Sequence, residues 1–163
     1  MKKCLFILIS TLLVSVNGFA AVLHFYSNPN VPQPLFHVIL EYKGYAYEAD
    51  TRAGGRRLPI AHLGGNLGHI QIEISDSLIN EDALMSQMGL PFDYKFVWNN
   101  NKTYCSKLVG IALNMEPQPM TFAGTHYVQY YPDWIYRNDP GLSPDQVYEF
   151  GMQHALRVTR KNR

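Results

Sequence analysis

The 163-residue chain holds two cysteines, and one of them, Cys4, lies in what reads as a removable leader. Beyond the leader Cys105 stands alone. That excludes an intramolecular disulfide, and it excludes the usual zinc modules, because neither a second cysteine nor a histidine pair at ligand spacing accompanies it. After the leader no run approaches the ~20 consecutive apolar residues of a membrane helix. An excess of one charge is missing too. Lys2 and Lys3 belong to the leader, so the rest of the 14 basic residues stand nearly balanced against 13 acidic ones, and a basic footprint for nucleic acid is absent. Gly54-Gly55 and Gly64-Gly65 match neither nucleotide-binding glycine fingerprint. No internal repeat or low-complexity tract occurs, and neither a metal nor a cofactor is expected.

The leader itself is legible. Lys2 and Lys3 precede an apolar run over residues 4–16, followed by Asn17-Gly18-Phe19-Ala20-Ala21, the small-residue pattern of a signal-peptidase site. The expectation is a signal peptide over 1–20, then one domain over 21–163, in an exported protein. Cys4 opens the apolar run, whereas a lipid-attachment cysteine would follow it. Asn101-Lys102-Thr103 is a formal glycosylation sequon close to Cys105, so a bacterial periplasmic or secreted setting, where the sequon is silent, fits better than a eukaryotic one. In such a compartment a lone thiol is a liability unless its reactivity is wanted.

Along the chain, residues 35–42 and 45–50 are β-prone runs joined by Lys43-Gly44, a hairpin signal, and 69–74 alternates as a third strand. Ser77 is expected to cap a helix ending near Gly89, and 92–98 reads as irregular. Leu108, Val109, Ala112, Leu113 and Met115 recur at helical spacing, with Thr103 as the expected N-cap and Pro117 beyond the end. Residues 125–131 read as a strand, Ser143-Pro144-Asp145 opens a last helix, and the basic tail 157–163 reads as its solvated end. Abundant aromatics, eleven tyrosines and eight phenylalanines, suit a sheet-containing domain with a lined groove.

Cys105 therefore falls in the first turn of a helix, where the positive end of the macrodipole favours thiolate over thiol. A cysteine nucleophile also needs a base, and the base needs an orienting group. The hairpin offers both. With a two-residue turn, positions 37, 39 and 41 share a face with 46, 48 and 50, so His37 has Asp50 directly opposite and Glu48 on the diagonal. His126 is the runner-up base. His24, His62 and His154 read as packed or solvated, and His69 as the start of a strand. The competing reading is an inert buried thiol with a structural histidine.

Leu90-Pro91-Phe92-Asp93-Tyr94-Lys95-Phe96 followed by Tyr104-Cys105-Ser106-Lys107-Leu108-Val109 resembles the cysteine segment of the YiiX/YaeF-like permuted papain-fold amidohydrolases, relatives of NlpC-type cell-wall peptidases. His37-Val38-Ile39-Leu40-Glu41 with Glu48-Ala49 resembles their histidine hairpin, and the same order, hairpin before cysteine helix, is shared more distantly with lecithin:retinol acyltransferase-like proteins. The resemblance covers about residues 35–115. It implies an α+β, circularly permuted papain-like fold with a small antiparallel sheet against the cysteine helix. It further implies Cys105 as nucleophile, His37 as general base and Glu48 as the orienting residue, with Phe92, Tyr94 and Tyr104 against the substrate. Two positions depart from the pattern: Lys107 stands where relatives commonly carry an acid, read as a surface change, and Phe92 where they commonly carry tyrosine. The implied substrates are amide bonds of peptidoglycan peptides or, alternatively, lipid acyl groups; a non-catalytic exported binding module is the third expectation.

Overall fold

The computed structural model of the protein describes residues 20–26, 35–63, 68–120 and 139–161. In chain order these form β1 (Ala20–Tyr26), β2 (His37–Tyr42), β3 (Tyr45–Asp50), β4 (Gly54–Pro59), β5 (Ile70–Ser75), α1 (Glu81–Met85), α2 (Cys105–Ala112), β6 (Gln118–Met120), β7 (Asp139–Gly141), α3 (Pro144–Gln153) and β8 (Ala155–Arg160). The fold is α+β. Six strands make one antiparallel sheet in the order β4-β3-β2-β1-β5-β8, and β6 and β7 pair separately.

The β2–β3 hairpin turns on two residues with positive φ, Lys43 at 50° and Gly44 at 78°, the backbone of a type I′ turn whose twist suits the flanking strands. Its register pairs Tyr42 with Tyr45, Glu41 with Ala46 and Leu40 with Tyr47, as the two-residue turn predicts. Period-two alternation then sends Val38, Leu40 and Tyr42 of β2, Tyr47 and Ala49 of β3, Leu23 and Phe25 of β1, and Ile72 and Ile74 of β5 into one core. Leu108, Val109 and Ala112 of α2 and Val147 of α3 complete it from the other layer. Each fully buried large side chain contributes about 1.5–3 kcal/mol of transfer free energy, so burial against the sheet, more than helix propensity, stabilises an eight-residue α2.

Several expectations are corrected. The helix assigned to Ser77 is a 3₁₀ turn (Asp76–Leu78) capped by Ser75, then the short α1 capped by Asn80, whose side-chain Oδ1 accepts from the Ala83 amide. Beyond the strands expected from the sequence, β4 is a full strand along β3. α2 ends at Ala112, before Met115. The basic tail is not a helix end: α3 stops at Gln153 and residues 155–160 return as β8 beside β5. His24 lies in β1, 1% exposed, with Nε2 2.8 Å from Glu41 Oε2. His154 sits at the C-cap of α3. The expected signal peptide up to Ala20, the 125–131 strand and the runner-up base His126 lie outside the described residues, except that Ala20 itself opens β1. Among the described residues no helix is long and apolar enough to cross a membrane.

Candidate active site

The motif around Cys105 is built from the chain on both sides of it. Gly55 of β4 exchanges backbone hydrogen bonds with the incoming segment, its N–H donating to Leu90 O at 2.8 Å and its carbonyl accepting from Gly89 N at 2.7 Å. The chain then forms a parallel bridge between Phe92 and Thr103, in which Thr103 N donates to Pro91 O at 3.0 Å and Asp93 N donates to Thr103 O at 2.8 Å. Asp93 closes the intervening loop by accepting from Lys95 N, Val97 N and Asn100 Nδ2 at 2.7–2.9 Å. Because the bridge takes Thr103 into an extended pairing, Tyr104 and not Thr103 is the N-cap of α2. It caps with no side-chain bond, so the first-turn amides of α2 stay uncovered by a cap.

Tyr104 and Ser106 bracket the cysteine and staple it to one residue. The Tyr104 hydroxyl accepts from Leu142 N at 3.3 Å, and Ser106 Oγ donates to Leu142 O at 2.7 Å. Tyr104 is 1% exposed and packs edge-on against Phe96, and burial pushes its phenol up. The expected substrate contact from Tyr104 is therefore corrected: it anchors the helix start from behind. Phe92 and Tyr94, by contrast, line the groove with His37, Glu48 and Cys105, and the Tyr94 hydroxyl donates to Thr51 O across its rim at 2.6 Å.

β2 begins with His37 at the same end of the molecule where α2 begins with Cys105, so the imidazole and the thiol line one groove and each shifts the other's ionisation. On its other side Nε2 lies 3.4 Å from Glu48 Oε2, a long contact of the kind that tightens when substrate excludes water. Asp50 does not compete: its carboxylate caps its own turn, accepting from Arg52 N at 3.0 Å and Ala53 N at 2.9 Å. Of the two carboxylates that the hairpin offers, the longer one reaches.

The electrostatics favour a thiolate–imidazolium pair. Burial opposes ionisation of Cys105, but the hydrogen bond and charge of His37, with the amides of Val38 and Ser106 on sulphur, outweigh it and hold the thiol below its ordinary range. Burial likewise opposes a charged His37, and Cys105 and Glu48 together overcome it and raise the ring to about 10. Glu48 is 6% exposed; burial works against its charge, and His37 and Arg56 more than compensate, lowering it. Arg56 carries no signal in the sequence, because Gly54-Gly55-Arg56-Arg57 shows no apolar alternation of a strand. In the structure it faces Glu48 across β3–β4 and donates Nε and Nη2 to Oε1 at 2.9 and 2.6 Å.

Lys107 is likewise corrected. It is 3% exposed, not a surface change, and its ammonium reaches Val97 O at 3.3 Å, Asn100 O and Oδ1 at 3.1 Å, and Lys102 O at 2.7 Å. Burial lowers its pKa, with Asp93 acting in the opposite sense. The ammonium thus ties the 97–102 loop to α2. Lys107→Met should destabilise the protein by about 3 kcal/mol, since charge-assisted bonds are lost and several carbonyls must find water; urea unfolding measures this, and a loss below about 1 kcal/mol would mean that Asp93 alone suffices to hold the loop.

Cys105 borders two depressions. One is the groove just described, with His37, Glu48 and Asp50. The other is apolar, walled by Phe36, Phe96, Met120, Leu142 and Pro144. Among the described residues no group of three metal-ligating side chains converges. Comparison of the chain with protein-family models, with curated proteins and with solved structures gives no match.

Proposed function

We propose that the protein is an exported cysteine hydrolase of permuted papain-like architecture that cleaves amide bonds, in peptidoglycan peptides, through a thioester acyl-enzyme. The observation that carries this reading is the convergence of Cys105, His37 and Glu48, from a helix start and the two strands of one hairpin, into a charged relay beside an open groove. In this mechanism the Cys105 thiolate attacks the amide carbonyl carbon, and the oxyanion is met by the Cys105 amide at the uncapped front of α2. As the C–N bond breaks, the His37 imidazolium gives its proton to the leaving nitrogen. Water then attacks the thioester, His37 takes up the water proton, and the acid departs as the thiolate is restored. The order of hairpin before cysteine helix supports the permuted architecture, and the leader supports export to the periplasm or beyond.

The purified protein should release fragments from peptidoglycan peptides, and Cys105→Ala should abolish the release. No fragments from any peptidoglycan preparation would reject the substrate assignment. One observation favours a second reading, acyl transfer or ester hydrolysis on lipids: the depression walled by Phe36, Phe96, Met120, Leu142 and Pro144 suits an apolar acyl chain on the sulphur. Brief exposure to phospholipid or to muropeptide, followed by intact mass, separates the two, because a fatty-acyl adduct on Cys105 selects the lipid.

A further inference from the structure

We infer that Arg56 is a positioning residue of this site: it grips Glu48 by one carboxylate oxygen so that the other is presented to His37, and its charge keeps the buried carboxylate ionised. This rests on the reading of Cys105 and His37 as a working pair. A cross-strand Arg–Glu contact is ordinarily worth little, because water screens it. Here the carboxylate side chain is only 8% exposed while the guanidinium side chain is 36% exposed, so the ion pair reaches from the rim of the sheet to a charge that needs a partner.

The geometry divides the carboxylate cleanly. Oε1 takes both Nε and Nη2, at 2.9 and 2.6 Å, and Oε2 is left facing His37 Nε2. Two donors on one oxygen hold that oxygen against Arg56 more firmly than a single ammonium contact would, and leave the other for His37. Asp50 Oδ2, 3.5 Å from Nη2, steadies the guanidinium in turn. Other charged or titratable groups facing Glu48 are His37 from β2, whose partner is Cys105 on α2, and Tyr26 from β1, whose phenol feels the Glu48 charge. Of these only Arg56 and a protonated His37 favour the carboxylate form. Without Arg56, burial protonates Glu48 at a higher pH, the imidazolium loses its counter-charge, and Cys105 keeps its proton longer.

The test is the pH dependence of iodoacetamide alkylation of Cys105 in the wild type, Glu48→Gln, Arg56→Gln and Arg56→Met, each with its melting temperature. Arg56→Met retains the aliphatic stem and serves should Arg56→Gln fail to fold. The acid limb is expected to move to higher pH in Glu48→Gln and in the Arg56 variants alike, by at least half a unit, which is about a threefold slower reaction on the acid side. A merely structural role would lower the melting temperature and leave the limb in place. Folded Arg56 variants whose profiles superimpose on the wild type overturn the inference, whereas a wild-type profile that titrates near an ordinary thiol, about pH 8.5, overturns the activated pair on which it rests.

Discussion

Replacing His37 by asparagine should slow alkylation of Cys105 at pH 6.5 by about 100-fold or more, because a thiol returned to its ordinary pKa of about 8.5 is only about 1% ionised there. In the wild type the protonated ring lowers the thiol, and His37 keeps its proton until near pH 10. Without the ring only the amides of Val38 and Ser106 and the helix end face sulphur, and burial, the largest influence on the thiol, opposes its charge. On the proposed hydrolase function, turnover should fall with it, by the factor of about 10² to 10⁴ that a positioned acid–base group supplies. If the asparagine variant alkylates like the wild type at pH 6.5, the imidazole does not activate the sulphur.

The same pair sets the pH dependence of stability. Between about pH 6.5 and 8.5 the folded thiolate–imidazolium and the unfolded thiol–imidazole carry equal numbers of protons, so the pair adds no slope. Below about 6.5 the unfolded histidine gains a proton that the folded pair lacks, and the pair's contribution falls as pH falls. Above about 8.5 the unfolded cysteine loses its proton while folded His37 keeps one until about 10, and the contribution falls as pH rises. Subtracting the unfolding free energies of His37→Asn from those of the wild type should therefore leave a plateau near neutrality with losses on both sides.

What the sequence disclosed of this site follows from period and turn chemistry. Lys43-Gly44 between two β-prone runs sets a two-residue turn, the turn sets the register, and period two then puts His37 and Glu48 on one face. Helical spacing after Cys105 placed the thiol at a helix front. The misreadings have the opposite character, since each depends on where the chain goes next. Thr103 is a better cap than Tyr104 by intrinsic preference, but the bridge to Phe92 claims it. Tyr104 beside a nucleophile reads as a substrate contact until Leu142 arrives from 38 residues away to occupy its hydroxyl. Lysine on a short helix reads as solvated, because nothing local reveals that four oxygens of the preceding loop converge on Lys107. Arg56 is not legible in the sequence because Gly54-Gly55-Arg56-Arg57 lacks the apolar alternation of a strand, and the pairing with β3 that brings it to Glu48 arises only in the fold.

That pair of glycines carries the second large effect. Gly55→Ala should destabilise the protein by about 3 kcal/mol or more, at or beyond the upper end for overpacking, out of a total of about 5–15 kcal/mol for a domain. A Cβ at Gly55 would lie 2.0 Å from Gln87 O and 3.2 Å from Thr103 Cγ2, and the first of these is backbone that cannot swing aside. The strands cannot simply part, since Gly55 N and O are both bonded to the 89–90 segment. The displaced segment continues into Pro91, Phe92 and the bridge to Thr103, one residue before the N-cap of α2, so the strain is delivered to the front of the cysteine helix. Alkylation of Cys105 should consequently lose its depressed acid limb in whatever fraction stays folded. Gly44→Ala is the control: its φ of +78° costs about 1–2 kcal/mol for a side chain, but no atom lies within 4 Å of the added methyl. Should urea unfolding find Gly55→Ala no worse than Gly44→Ala, the close approach of β4 to the 87–91 segment does not hold the cysteine helix in place.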